Sequence, residues 1–291
     1  PPSVGSKSPG VAIGFREFVA MMAMVRGMHA AGVDTMLPAL PELGRALHID
    51  TENHRQWVIS AYMLGFGATQ IFFGPLSDRY GRRPVLLTGL ICYGITSLVA
   101  SFAASFTLML GARVLQGMAG AAGRVIILSI VRDRYAGSTM ARVMSLISMV
   151  FLAVPILAPS IGQFILLFAP WRAIFFLLAL YGFASALWVS LRLPESLDPA
   201  NRRSIHPSEI WAGFGIVVRD RHSLGYTLAT MINFGALLGY IMSCQQLFTE
   251  GFGVAHQFAL LFAASSAGLA VAAFTNSRIV EALGSQTVSH V

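Results

Sequence analysis

Long apolar stretches alternate with short polar connections along most of the chain. Each stretch has about 20 residues, the length that a helix rising about 1.5 Å per residue needs to cross a hydrocarbon layer about 30 Å thick. Because lipid offers no partner for free backbone groups, each stretch is predicted to be a membrane-spanning helix. The eight predicted spans are 17–41, 57–76, 84–104, 107–130, 143–168, 171–191, 224–248 and 257–275.

The longest interruption of the apolar pattern separates six spans from two. It covers 192–223, is rich in Pro, Ser and charged residues, and is predicted to be a cytoplasmic linker. A six-helix transmembrane bundle at 1–191 precedes it, and a partial second bundle at 224–291, with two helices and the start of the next loop, follows it. Six helices, a long inside loop and further helices are typical of transporters whose halves are parallel repeats. The sequence therefore predicts an all-α integral membrane protein.

Composition excludes an ordinary soluble domain. Hydrophobic residues make up 55% of the chain and charged residues 11%, whereas about a quarter of a soluble domain is charged. Cys92 and Cys244 both fall inside predicted spans, so they are interpreted as packing residues and not as a disulfide. The sequence offers no metal site, and no cofactor is expected.

The net charge of +7 is interpreted as a topology signal. Nucleic acid is not an expected partner, because no basic patch is interleaved with stacking aromatic residues. One set of alternate connections holds fourteen Lys and Arg residues and the other set holds three. Since positive residues concentrate on the cytoplasmic side, the amino terminus is predicted to lie inside.

The connection between spans two and three holds the most specific motif in the chain. It covers 74–83, and its defining residues are Gly74, Asp78, Arg79, Gly81, Arg82 and Arg83. Gly74 would permit a close helix contact and Gly81 a turn. Asp78 could pair with arginines and with the positive amino end of a neighbouring helix, so the cluster could act as a conformational latch. The alternative, a loop that only sets topology, requires the arginines alone.

Span four places charged and small residues on one stripe. The stripe consists of Arg113, Gly117, Gly120 and Arg124. At 100° per residue, the other three positions each lie within about 40° of Arg113. Because such a stripe would be costly against lipid, it should face the bundle interior or a water-filled cavity. The alternative is tight helix packing with a snorkelling arginine, which would explain Arg124 better than Arg113.

Apart from Glu17 at the first position of span one, Asp34 is the one acidic residue within any predicted span. It lies about seven residues before the outer end of span one, and Arg113 lies about six residues after the outer end of span four, so the two are predicted at similar heights. An aspartate that gains and loses an arginine partner as a cavity opens and closes could carry a proton. The alternative is a static ion pair that orders spans one and four.

Other polar residues in the spans could line a substrate cavity. These candidates are Arg26, Tyr62, Gln70, Gln116, Arg124 and Asn233. Arg26, with His29 in the same span, could bind anionic substrate groups or balance charge. Hydrogen bonding between helices is the commoner role of such residues.

Span five contains two prolines four residues apart. Pro155 and Pro159 lack backbone donors, so they are predicted to bend the helix, and Gly162 follows them. A bent helix at the interface between two bundles suits a rocking motion. The alternative is an ordinary proline kink.

These motifs together resemble a known family. Residues 74–83 match the signature G-x-L-(S/A)-D-R-x-G-R-(R/K) of the major facilitator superfamily, and 110–122 resemble its second motif, associated with proton coupling. Residues 155–163 resemble the G-P-x-x-G-G signature of drug antiporters, with Ala158 and Gln163 in place of two glycines. The D-T-M-L-P-A-L-P run at 34–41, the A-P-x-x-G segment and V-R-D-R before span five are most similar to the Bcr/CflA subgroup, which confers bicyclomycin and chloramphenicol resistance.

The resemblance implies a major facilitator fold and proton-driven export of small amphipathic drugs across the bacterial inner membrane by alternating access. Asp34 and Arg113 would couple export to protons, and the 74–83 cluster would hold one conformation by contacting a helix of the second half. It also implies a chain shortened at its carboxyl end, since about four more spans would be needed. The implied partners are substrate, protons and the lipid bilayer; the oligomeric state is left open.

Two other functions are compatible with the sequence. One is proton-linked uptake of a nutrient, against which the span-five signature argues. The other is a shortened chain that transports nothing alone, because alternating access needs two bundles that rock about one site. An enzyme is not expected, because the spans contain one Asp, one Glu at the first position of span one and no His pair at metal-binding spacing, too few groups for intramembrane catalysis.

Overall fold

The protein folds into long helices throughout the part of the chain that its computed structural model describes, which is residues 13–49, 51–202, 215, 219–253 and 257–283. The predicted all-α class is confirmed. The helices are α1 Phe15–Asp34, α2 Leu40–Ala46, α3 Trp57–Tyr80, α4 Arg82–Ser101, α5 Phe106–Arg134, α6 Gly137–Leu166, α7 Arg172–Arg192, α8 Arg221–Gln246 and α9 Phe258–Leu283. Short 3-10 helices lie at Leu37–Ala39, Glu52–Gln56 and Pro199–Asn201, and a π-helical turn at Leu247–Gly251.

Among the described residues, six helical segments are long and apolar enough to cross a membrane. They are Asn53–Tyr80, Arg82–Ser101, Phe106–Arg134, Gly137–Leu166, Arg172–Arg192 and Arg221–Ile241. The helix α1 is less apolar because it contains Arg26, His29 and Asp34. Most of α1 is buried against α5, α6 and α7. Since protein and not lipid surrounds it, α1 can hold polar side chains that an exposed span could not.

The tightest helix contact joins α3 and α5. A Cβ atom on Gly117 would collide with the Tyr62 carbonyl oxygen, and one on Gly65 would collide with the Val114 carbonyl oxygen. Small residues therefore bring the two backbones together, as is usual where helices associate in lipid. The helix α4 packs on α5 and α7, and α9 packs on α6.

The prediction that span one continues as one helix to residue 41 is wrong. The helix α1 ends at Asp34, and the chain turns through Thr35 and Met36 before the 3-10 helix and α2. Pro38 and Pro41 explain the break, because each lacks the N–H that a continuing helix would use and restricts the residue before it. Asp34 therefore lies at the end of a helix and not inside one.

The motif at 74–83 is more helical than predicted. The helix α3 continues through Tyr80 and α4 begins at Arg82, so Gly81 alone separates them. Gly81 has φ of +104°, a conformation that L side chains rarely adopt. The predicted close helix contact at Gly74 is not found among the described residues, none of which comes within 4 Å of a Cβ atom placed there. Residues 276–283, interpreted from sequence as a loop, likewise continue α9.

Between the predicted bundles, α7 ends at Arg192 and α8 begins at Arg221. Within the predicted linker, 203–214 and 216–218 lie outside the described residues, as do 284–291 at the predicted start of the next loop.

Pro155 and Pro159 both lie inside α6. A Cβ atom on Gly162 would collide with the Thr35 carbonyl oxygen, so this glycine lets α6 approach the turn that follows α1.

We expect Gly117→Ala to destabilise the chain by about 1–3 kcal/mol, because its methyl group would force α3 and α5 apart. Thermal unfolding of the purified chain in detergent, followed by size-exclusion chromatography, measures the change. The matched control is Gly111→Ala on the same helix, where a Cβ atom has no neighbour within 4 Å. Equal unfolding midpoints for the two variants would contradict the close α3–α5 contact.

Candidate functional site

A cavity of about 660 Å³ lies between the first bundle and the last two helices. Its walls come from α1, α3, α5 and α6 on one side and from α8 and α9 on the other. Its ionisable lining residues are Arg26, His29, Asp34, Arg124 and Tyr240, and its aromatic and proline lining includes Phe151, Pro155, Phe234 and Phe262. The volume and the mostly apolar lining with few polar groups are typical of a small-molecule site.

Asp34 and Arg113 are both buried but are not paired with each other. Asp34 is 3% exposed and lines the cavity, and Arg113 is fully buried on α5. Arg113 Nε donates to the Val58 carbonyl oxygen at 3.2 Å, and Nη1 donates to Gln116 Oε1 at 2.6 Å. Within the described part of the chain no carboxylate forms an ion pair with Arg113. The alternative of a static Asp34–Arg113 pair is therefore wrong for this conformation.

The surroundings of Arg113 compensate its charge incompletely. Its guanidinium carbon lies 4.5 Å from the centroid of the Tyr62 ring and 5.7 Å from that of Phe175. Gln116 donates from Nε2 to Ser97 Oγ at 2.6 Å, and Arg113 Nη2 has no hydrogen-bond partner among the described residues. A cation–π contact is worth up to about 2 kcal/mol, whereas an unpaired buried charge costs several kcal/mol. This site would be stabilised by an approaching carboxylate.

Tyr62 of α3 contacts side chains of both α1 and α5. Its hydroxyl is 3.2 Å from His29 Nδ1, and the His29 ring stacks on Phe66 with centroids 3.7 Å apart. The side chains of α1, α3 and α5 therefore form one connected group beside the cavity.

The structure separates the six candidate cavity residues into two sets. Arg26 and Arg124 line the cavity, but the other four do not. Tyr62 of α3 and Gln116 of α5 have no exposed surface, because these two helices pack closely on each other. Gln70 of α3 is half-buried, and Asn233 Nδ2 donates to the Ala229 carbonyl oxygen of its own helix at 3.0 Å. These four residues are not among those that line this cavity.

The charged residues of the 74–83 motif join several helices at one end of the bundle. Arg82 forms an ion pair with Asp78 and another with Asp133 of α5, in which Nε is 3.1 Å from Oδ2. Arg82 Nη1 also donates to Ser77 Oγ at 2.7 Å. Arg79 is exposed beside Tyr80, with its guanidinium carbon 5.3 Å from the ring centroid.

Glu195, two residues after Leu193 at the end of α7, caps the amino end of α4. Its Oε1 accepts from the Arg82 backbone N–H at 3.0 Å, and its Oε2 accepts from the Arg83 backbone N–H at 3.2 Å. Arg83 Nη2 in turn donates to the Ser190 carbonyl oxygen at 2.6 Å. A carboxylate is favoured at a helix amino end, where backbone N–H groups are unpaired. The motif is therefore fastened to α5 and α7 within the first bundle.

Sequence reasoning missed Glu195 and the pairing role of Asp133. A usable signal existed, because α4 begins at Gly81-Arg82-Arg83-Pro84 with no Ser, Thr, Asp or Asn to cap it. Such a helix needs an acceptor from elsewhere in the chain. The acidic residue at the start of the linker was the available candidate.

At the opposite end of the bundle, a hydrogen bond connects α8 to the segment before α3. Gln56 Nε2 donates to Gln246 Oε1 at 2.9 Å. Gln56 immediately precedes α3 and Gln246 ends α8. This contact holds one end of α8 against the first bundle, on the side where the cavity lies.

Comparison with known proteins decides the family. The sequence pattern of the Major Facilitator Superfamily matches residues 22–288. The chain belongs to this superfamily. Membership identifies a transport protein and not an enzyme, in agreement with the sequence prediction.

Several curated bacterial members of the superfamily resemble the chain. It is 31% identical over 276 residues to a bicyclomycin resistance protein homolog of Haemophilus influenzae, with 94% of this chain and 69% of that protein covered. It is 32% identical to the uncharacterised transporter YdgK of Bacillus subtilis, with 86% and 62% covered. It is 34% identical to the multidrug resistance protein MdtL of Escherichia coli O157:H7, with 60% and 44% covered. The chain thus spans about half to two thirds of the length of these relatives.

Solved structures share the fold at low sequence identity. The human organic anion transporter MFSD10 (TETRAN) is 17% identical, with a TM-score of 0.66 and 88% of this chain and 71% of that chain covered. A peptide transporter, POT, in complex with sulfate is also 17% identical, with a TM-score of 0.56 and 78% and 49% covered. The predicted major facilitator fold is confirmed.

We expect Glu195→Ala to lower the stability of the folded chain by about 1–2 kcal/mol, because two backbone N–H groups of α4 lose their charged acceptor. Glu195→Gln keeps an acceptor oxygen and should cost less. We expect the unfolding temperature measured in detergent to be highest for wild type, lower for Glu195→Gln and lowest for Glu195→Ala. If the Ala variant unfolds at the same temperature as wild type, Glu195 does not cap α4 in solution.

Proposed function

We propose that the chain acts in proton-coupled export of small amphipathic drugs by alternating access. The observation that supports it most is a buried aspartate, Asp34, at the wall of a mostly apolar cavity between the first bundle and α8 and α9. Relatives named for bicyclomycin and multidrug resistance support drugs as substrates. The span-five signature at Pro155, Pro159 and Gly162 favours export over proton-linked nutrient uptake.

Proton coupling would depend on exchange of partners by Asp34. In the conformation described, Asp34 faces the cavity and Arg113 lacks a carboxylate partner. A proton on Asp34 makes burial of the carboxyl group less costly. When the proton leaves, the carboxylate is stabilised by approaching Arg113, whose Nη2 is available. Substrate and proton would thus alternate in the same region of the protein.

Alternating access requires the cavity to open to each side in turn. The Gln56–Gln246 hydrogen bond would break when the outer ends of α3 and α8 separate. At the other end, the 74–83 cluster, with Asp78, Arg79, Arg82 and Arg83, would act as the latch, and Glu195 would keep α4 in position for it. The prolines of α6 would let this helix, which contacts α9, bend during the motion.

The proposed location is the bacterial inner membrane with the amino terminus in the cytoplasm. The superfamily is a membrane family and the relatives named above are bacterial proteins. The excess of Lys and Arg in one set of connections supports the orientation. With this orientation, the Gln56–Gln246 contact lies on the outer side and the 74–83 cluster on the cytoplasmic side.

We expect Asp34→Asn to abolish proton-driven export, because an amide cannot bind and release the proton. The measurement is chloramphenicol accumulation in an efflux-deficient bacterium that expresses the chain, with and without an imposed proton gradient. Chloramphenicol is uncharged, so the result does not depend on the charge of the cavity. The control Asp198→Asn makes the same change at an exposed cap, where Asn is an equally good acceptor.

Export by wild type and by Asp198→Asn, but not by Asp34→Asn, is the expected pattern. Gradient-driven export that persists in Asp34→Asn would contradict the role of Asp34. Membrane levels of each variant must be matched, so that lost export is not lost protein.

A further inference from the structure

The charges on the cavity wall are unbalanced. Arg26 of α1 and Arg124 of α5 line it together with one aspartate, Asp34. Among the described residues neither arginine forms an ion pair with a carboxylate. Asp34 lies eight residues beyond Arg26 on α1, about 12 Å along the helix axis at 1.5 Å per residue. One end of the cavity therefore has a single acidic group, Asp34, and the other end has two basic groups, Arg26 and Arg124.

Both guanidinium groups lie close to aromatic rings. The Arg26 guanidinium carbon lies 5.4 Å from the Phe151 ring centroid. That of Arg124 lies 5.8 Å from the Phe66 centroid and 5.7 Å from the Phe234 centroid of α8. These contacts keep the cations at the cavity wall, but a ring face offers no hydrogen-bond acceptor that matches the planar guanidinium.

An anion in the cavity would supply what the two arginines lack. Arginine binds carboxylate, sulfonate and phosphate groups through paired N–H donors. A ligand with such a group could place its apolar part against Phe151, Phe234 and Phe262, which line the same space. A cationic ligand at this end would instead meet two like charges in surroundings where water screens them poorly.

We propose that the Arg26–Arg124 end of the cavity binds the anionic group of an amphipathic organic acid. This proposal rests on the proposed transport function and specifies its substrate class. The group is a carboxylate or a similar monoanion, and the body of the substrate is aromatic or aliphatic. Arg124 contacts Phe234 of α8, so a bound anion would also connect the first bundle to α8.

The test compares three ligands with one aromatic skeleton and different charges. They are 1-naphthoate, 1-naphthamide and 1-naphthylmethylammonium, measured by equilibrium binding to the purified 291-residue chain in phosphatidylcholine nanodiscs. We expect naphthoate to bind about tenfold or more tightly than naphthamide, the difference expected for a charge-assisted hydrogen-bonded pair. Arg26→Gln and Arg124→Gln should each weaken naphthoate binding about tenfold and leave naphthamide binding nearly unchanged.

Two further variants distinguish a specific loss of binding from misfolding of the protein. Arg124→Glu should reverse the preference, so that the ammonium ligand binds more tightly than naphthoate, a gain that an unfolded protein cannot give. Arg45→Gln removes an exposed arginine of α2 outside the cavity and should change none of the three affinities. An equal loss of naphthoate binding in Arg45→Gln would overturn the proposal.

The outcomes separate this proposal from the transport proposal. Tight binding of naphthamide and the ammonium ligand with weak binding of naphthoate would overturn the anion site and leave drug export standing. Failure of all three ligands to bind would count against both. If phosphatidylglycerol in the nanodiscs abolished naphthoate binding, the occupant would be a lipid headgroup, and the organic-acid proposal would be wrong.

Discussion

Lipid supplies neither hydrogen bonds nor counter-charges, and the arrangement of this protein follows from that constraint. The spans contain Arg26, Asp34, Arg113 and Arg124, and all four side chains lie in the interior or at the cavity wall. The helix that holds two of them, α1, is enclosed by α5, α6 and α7. Glycines on α3 and α5 make the enclosure possible, because they let the neighbouring backbones approach closely.

In the proposed mechanism, the same constraint would cause the buried charges to change partners. A charge that is expensive to bury unpaired gains most from a change of partner, so Asp34, Arg113 and the cavity arginines are sites where a proton or a ligand has a large effect. The fixed contacts lie elsewhere. Asp133 and Glu195 hold the 74–83 cluster at one end, and Gln56 with Gln246 closes the other. Between those ends the protein retains the groups that can exchange partners.

Sequence reasoning predicted the helices and the buried charges well, because both follow from the composition of each span. It failed where two distant segments meet. Glu195 caps α4 across 113 residues of chain, and no periodicity within either segment indicates that contact. It also did not predict the direction in which each polar side chain faces around its helix. Tyr62 and Gln116 face a helix interface, whereas Arg26 and Arg124 face the cavity. The end of α1 at Asp34 was predictable in principle from Pro38 and Pro41.

The proposed transport cycle requires the cavity to open when α8 moves away from the segment before α3. The direct test is Gln56→Cys with Gln246→Cys in a chain whose Cys92 and Cys244 are replaced by Ala, bridged by a short bis-methanethiosulfonate. Bridging should stop chloramphenicol export, and a reductant should restore it. Export at the unbridged rate from fully bridged protein would show that transport does not require α8 to separate from the segment before α3.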